Sequence, residues 1–422
     1  MNRFILQLVT ATALSGLFAT SAYAGCDINS NCDDLTVTDP THTTSTKVVQ
    51  TGYSNVVQGS VSSIGSVFNI TQVGVRNTTQ ITGAANAPLV SSNVTAYSSG
   101  FGNSDTINIG RDNNQKSNSS YDKVKISDIG ADNSVTANVG ASNSALTTNV
   151  NGSSNILVAY GNASNSTLTS NVTGNYNGLV VGQTGENDKA TVTINGNNNG
   201  GTPGNNFGPP LNVGSVGSND TLTVAIKGDY NQIQGGQGGF SSNNYSVNNS
   251  SLAIAITGSQ NFVQADQGTN LNSGITQNST NDKMAFNITG SGNEILASQV
   301  GNNDSMTATI KGAEDYIAAG QTGNNNTLTA SITDVGANGS GMMSQYNNSI
   351  TGNQAGVGNK ATLSIAGGSD NIAYAQTGNN NSMNVAFKGS NDTGTFTQTG
   401  NNLTYNLSTN LSGKTFEVHQ HN

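Results

Sequence analysis

Gln50-Thr51-Gly52-Tyr53-Ser54-Asn55-Val56-Val57-Gln58 recurs 22 residues later as Gln72-Val73-Gly74-Val75-Arg76-Asn77-Thr78-Thr79-Gln80. Both Gln, the Gly and the Asn shift together, and one step shared by several residue types marks a repeat architecture. The step persists. Gly130, Gly152, Gly174 and Gly196 are each 22 apart, as are Gly290 and Gly312, Gln299 and Gln321, Gln376 and Gln398, and Gln398 and Gln420. Each repeat splits into arms of 11, seen from Gly312 to Gly323, Gly367 to Gly378 and Gly389 to Gly400.

The first arm reads apolar-x-apolar-x-apolar-x-Gly-x-x-Asn, as in Leu222, Val224, Ile226, Gly228 and Asn231. Met306, Ala308, Ile310 and Gly312 repeat it, with Asp315 in the Asn place. The second arm puts Gln third: Ile372, Tyr374, Gln376, Gly378, Asn381, and Ile317, Ala319, Gln321, Gly323, Asn326. Alternation with period two predicts strands, with apolar residues and Gln on one face and Thr, Ser, Lys and Asn on the other. Gly-x-x-Asn then ends each strand, because Gly adopts positive φ without a clash and Asn tolerates the left-handed region and bonds its own backbone. Gly52, Gly74, Gly174, Gly196, Gly290, Gly312, Gly323, Gly378 and Gly400 are the turn glycines on this reading.

One such unit cannot bury its apolar row alone. Stacking each strand on its equivalent one repeat away, ~4.8 Å along an axis, buries it. The predicted fold is therefore all-β: an amyloid-like β-solenoid of strand-turn-strand repeats of about 22 residues. Lone buried amides are costly, but in a stack each donates to one neighbour and accepts from the other. Gln50, Gln72, Asn55, Asn77, Gln299, Gln321, Gln376, Gln398 and Gln420 are the expected ladder residues.

The five prolines avoid the clear repeat strands, as ladders require. Three of them fall between Thr202 and Pro210, where the period breaks. Inserted loops are expected at about 85–99 and 200–212, and the period is weakest from Ala84 to Tyr121. Steps also lengthen to 32, 30 and 32 through Gly196, Gly228, Gly258 and Gly290.

Residues 1–24 read as a secretory leader: Arg3, an apolar run from Phe4 to Phe18, and Ala22-Tyr23-Ala24 for cleavage. Tyr23 stands where a lipidation signal has Leu, which disfavours a lipid anchor at Cys26. Residues 25–46 read as a lead-in, whose only cysteines, Cys26 and Cys32, are most simply a disulfide loop in an exported chain. Residues 47–422 form the repeat region.

Charged residues make up 9% of the chain and its formal net charge is −9, which argues against nucleic acid as a partner. No nucleophile-His pairing and no paired carboxylates can be nominated, so the chain reads as no enzyme and needs no cofactor. His419 and His421 share a strand face at i, i+2, but a metal needs further ligands, and a solvated tail is the simpler reading. Asp188, Lys283, Asp304 and Lys360 recur between arms and read as charges that oppose lateral aggregation.

Ser66-Val67-Phe68-Asn69-Ile70-Thr71-Gln72-Val73-Gly74-Val75-Arg76-Asn77 resembles the curlin repeat of curli fibre subunits, Ser-x5-Gln-x-Gly-x-x-Asn-x5-Gln, at its first twelve positions. Val418-His419-Gln420 also resembles a curlin end. The likeness is closest over Lys47 to Gly83 and looser from Gly130 onward. It departs in length, in the insertions, in the cysteine pair, and in Ile226, Ile310 and Phe387 where Gln is expected. The resemblance implies export through an outer-membrane secretion pore, nucleated self-polymerisation with a nucleator partner, and an extracellular, pilus-like role in biofilm matrix and cell adhesion. The alternative is a monomeric or surface-attached solenoid adhesin that binds through its inserted loops.

Overall fold

A computed structural model describes residues 8–9, 30–39, 43–83, 89–109, 123–139, 143–161, 165, 167–187, 189–200, 211–218, 221–237, 247–248, 251–267, 279–281, 283–333 and 348–422. Among these residues there are strands and turns and no helix. Parallel strands stack into a β-solenoid of about 13 turns of ~22 residues. The chain divides into two compact units, Met1–Asn197 and Asn198–Asn422.

In the first unit each turn gives one strand to each of two sheets. Sheet one runs through Ser45–Tyr53, Val67–Val75, Asn93–Phe101, Lys123–Ala131, Ala145–Ser153, Thr167–Thr173 and Lys189–Asn195. Sheet two runs through Cys32–Thr38, Val56–Ile64, Thr78–Gly83, Ser104–Ile109, Ser134–Val139, Ile156–Gly161 and Gly178–Glu186. Like residues face like: Gln50 opposes Gln72, and Val124, Leu146 and Leu168 share one column. Leu8–Val9 lies antiparallel to Val48–Val49.

In the second unit, sheet two continues the pattern from Leu211–Ser218 to Thr415–His421. Sheet one runs from Thr221–Thr223 through single bridges at Lys283, Ser305, Thr327 and Lys360 to Ser382–Asn384 and Thr404–Asn406. Inward apolar residues are buried in columns, Leu222, Val224 and Ile226 among them. Where a column takes an aromatic, a neighbour shrinks. A Cβ on Gly394 would lie 2.3 Å from the Phe396 ring and 2.7 Å from Phe387, so Gly394 opens the space those rings fill.

Several expectations need correction. The loop expected at 85–99 is shorter, because Leu89–Val90 pairs with Ser63–Ile64, and Asn93–Phe101 is a full strand between its neighbours in sheet one. The loop expected at 200–212 gives way to a strand at Leu211, and 201–210 lies outside the described residues. The lead-in is not separate from the stack, since Cys32–Thr38 pairs in register with Val56–Ser62. The weak stretch from Ala84 to Tyr121 contains both strands of a regular turn, Asn93–Phe101 and Ser104–Ile109, with 110–122 outside the described residues.

The turn chemistry also differs in detail. The left-handed residue is the one before the Asn, as at Ser54, Arg76 and Asn380, with φ of 56°, 58° and 56°. Gly52, Gly74, Gly174, Gly323, Gly378 and Gly400 lie at φ between 110° and 134°, and Gly196 at 154°. Gly290 is required by proximity alone, because a Cβ there would sit 1.6 Å from the Gly312 carbonyl oxygen. Asp304 is no surface charge: it is buried and accepts the Asn326 N–H at 2.7 Å. Asp188 lies outside the described residues.

Candidate assembly surface

The corner Asn residues form a buried column. In the first unit Asn77 Nδ2 donates to Asn55 Oδ1 at 3.1 Å, and Asn155 and Asn177 continue the chain from Asn133 at 3.0 Å each. Each amide also donates to a glycine carbonyl of the adjoining turn, as Asn55 does to Gly74 at 3.0 Å. The Oδ1 takes a backbone N–H as well, as Asn55 takes that of Asn77 at 3.1 Å. The side chain thus satisfies the backbone groups that the sharp corner leaves unpaired. In the second unit the column runs Asn199, Asn231, Asn261, Asn293 and then Asp315, whose backbone N–H binds Asn293 Oδ1.

The glutamines form two ladders. Gln50 Nε2 donates to Gln72 Oε1 at 2.8 Å, and Gln72 then turns to the carbonyls of Val56 and Asn77 and to Thr79 Oγ1. In the second unit Gln299, Gln321, Gln354, Gln376 and Gln398 each donate to the next glutamine, the last to Gln420 Oε1, at 2.6–2.9 Å. Gln354 belongs to this column although a step of 33 separates it from Gln321 and hid it from the fixed spacing of 22.

The last described strand, Thr415–His421, carries Gln420. Gln376 and Gln398 each donate twice, once to the next glutamine and once to a backbone carbonyl, Lys360 and Ser382 respectively. Gln420 likewise donates to a carbonyl, that of Thr404, at 3.0 Å. Beside it Phe416, Val418 and Tyr405, which continue the buried columns, are only half-buried. In the corner columns Leu403 and Lys414 take the Asn place, and their backbone N–H groups bind Asn381 and Asp392.

A second polar feature lies inside the first unit, where sheet one's Gln column gives way to Ser98 and Asp128. Asp128 accepts from Asn133 Nδ2 at 2.9 Å, and Asp105 from sheet two is buried facing it. Asp105 lies against the side chains of Asp128, Ser98 and Thr79. Burial, then the Asp128 charge, push Asp105 well above the usual carboxylate range. Burial pushes Asp128 up to about 6, against the Asn133 donor, which favours its charged form. The sequence offered no period to flag this pair, because the two acids come from different sheets and turns.

Cys32 is disulfide-bonded, and Cys26, the other cysteine of the sequence, lies outside the described residues. His419 Nε2 pairs with Glu417 Oε1 at 3.0 Å on the exposed face of the last strand. No group of three His, Cys, Asp or Glu that could hold a metal occurs among the described residues. No family model matches the sequence, and no curated protein matches it.

Proposed function

We propose that the chain is a secreted structural subunit that assembles end to end into a curli-like extracellular fibre, in a biofilm-matrix and adhesive role and without catalysis. The observation that supports this reading is the ladder itself: from Gln299 to Gln420 each turn hands an amide hydrogen bond to the next in register, so a turn of one copy can stack on a turn of another as the turns of one chain do. An edge of unpaired strand is a template for another chain. Such a template is specific here, because a stacking turn must bring an amide to a glutamine and an apolar residue over an apolar column.

The test is assembly of the purified chain without residues 1–24, followed by dye binding and fibre diffraction. Fibrils with a reflection near ~4.8 Å are expected, and Val418→Lys with Phe416→Lys should slow their growth without changing the β-spectrum of the monomer. A chain that stays monomeric at high concentration, seeded or not, refutes the proposal.

A further inference from the structure

The outward face of sheet one carries all the lysines found in strands. In the second unit Lys227, Lys283, Lys311, Lys360 and Lys388 lie on the segments that carry this face, at single bridges or just beyond the strands, all exposed. They are regularly placed. Lys283 opposes Ser305, Ser305 opposes Thr327, and Thr327 opposes Lys360, so these two lysines share a column three turns apart. Following the same register, Lys227, Lys311 and Lys388 share a column six residues further along these segments, again three turns apart. Three turns span ~14 Å, and the six residues between the columns span ~20 Å. From Thr221 to Lys388 the other outward positions hold only Thr, Ser, Ala and Asn, so each lysine stands above a floor of short side chains. No Asp or Glu lies on this face among the described residues.

Sheet two of the same unit is the reverse. No described strand of it contains Lys or Arg, while Asp266, Glu294 and Glu417 lie in it. The first unit segregates its strand lysines in the same way: Lys47, Lys123, Lys125 and Lys189 are outward on sheet one, and Lys123 and Lys189 share a column three turns apart. Nine of the 14 Lys and Arg of a chain with net charge −9 thus sit on one kind of face, where dispersed charges against aggregation would occupy both.

We infer that the lysine face of sheet one docks on an anionic lipid surface. Each of the five lysines of the second unit is exposed beside a buried inward residue, as Lys227 is beside Ile226 and Lys283 beside Met284, so their ammonium groups project from one side of these segments. A linear polyanion fits less well: following one column it meets a lysine only every ~14 Å, whereas duplex nucleic acid presents a charge every ~1.7 Å. The face also lacks the aromatic residues on which bases stack. Each lysine near an anionic headgroup layer strengthens binding by roughly fivefold.

The test is co-sedimentation of the full chain with vesicles of phosphatidylcholine, with and without phosphatidylglycerol, at low and high salt. Binding is expected only with phosphatidylglycerol and should fade with salt. Lys283→Gln should weaken it by roughly fivefold, and the five changes Lys227→Gln, Lys283→Gln, Lys311→Gln, Lys360→Gln and Lys388→Gln together should abolish it. These side chains are exposed, so circular dichroism should show the fold retained. Lys414→Gln, off the face, should change binding less than twofold. Equal losses from Lys414→Gln and Lys283→Gln would overturn the inference, as would binding to duplex DNA or polygalacturonate in place of the vesicles.

Discussion

Replacing Asp128 by Asn tests the buried acid pair. Burial raises the folded-state value of Asp128 from 3.8 to about 6, so between those values the native chain holds a proton that the unfolded chain has released. Stability from this site is therefore full below pH ~4 and lost as pH rises through ~6, the reverse of an ion-paired carboxylate. The rise amounts to roughly 3 kcal/mol at ~1.36 kcal/mol per pH unit. Asp105, raised well above the usual range, extends the loss in the same direction. Asn keeps the oxygen that accepts from Asn133 and offers Asp105 a permanent donor in place of the shared proton. Urea unfolding of Asp128→Asn and the unchanged chain from pH 4 to 8 isolates the pair, because every other carboxylate cancels in the difference. The variant should match the parent near pH 4 and exceed it by roughly 3 kcal/mol near pH 7.5. A difference that stays flat across this range refutes the reasoning.

Asn359→Ala removes donations to Ala355 and Gly378 at 3.1 and 2.8 Å and the acceptor for Asn381 N–H at 3.0 Å. A loss of roughly 3–5 kcal/mol is expected, with amide exchange accelerated first at Asn381. Gly378→Ala would put a Cβ 1.8 Å from the Gly400 carbonyl oxygen at φ +113°, and should separate the turns and unfold this end of the stack. Gly413→Ala, with open space but φ +66°, should cost about 1–2 kcal/mol, and Gly368→Ala, with nothing within 4 Å, should be nearly neutral by thermal melting. Gln376→Leu strands the Gln354 donor and should cost about 1–3 kcal/mol, whereas Leu at Gln354, Gln376 and Gln398 together should cost less than three times as much, since fewer amides are orphaned per change.

The repeat was legible wherever the inward residues kept their type. Ile372, Tyr374, Gln376 and Gly378 announce a strand and its end, and the parallel pairing of Asn371–Asn379 with Thr393–Asn401 follows from the step of 22. Legibility failed at Asn93–Ile109 because that turn carries Ser98 and Asp105 where the pattern wants apolar residues or Gln. Its glycine spacing is also irregular, with Gly74 to Gly100 at 26 and Gly100 to Gly130 at 30. An outgoing loop alters spacing without altering register, so a fixed step misses Gln354 while the hydrogen bond from Gln321 finds it. The lysine face was invisible for another reason. Lys227 and Lys283 are 56 residues apart, and only stacking shows that they occupy the same surface.

The apolar columns bury the surface but cannot choose the register. A slip of one residue would expose every core side chain and is forbidden by hydrophobicity. A slip of two keeps the same residues inside, and Leu, Val, Ile, Met and Phe interchange freely along these columns. What forbids that slip is the polar and glycine set. It would bring a residue with a Cβ to within about 2 Å of a carbonyl, as the contact of Gly130 with Gly152 shows at 1.7 Å. It would also pull Asn133 from both Asn155 and the Gly152 carbonyl. Burial therefore supplies the adhesion between turns, and Gly, Asn and Gln supply the alignment.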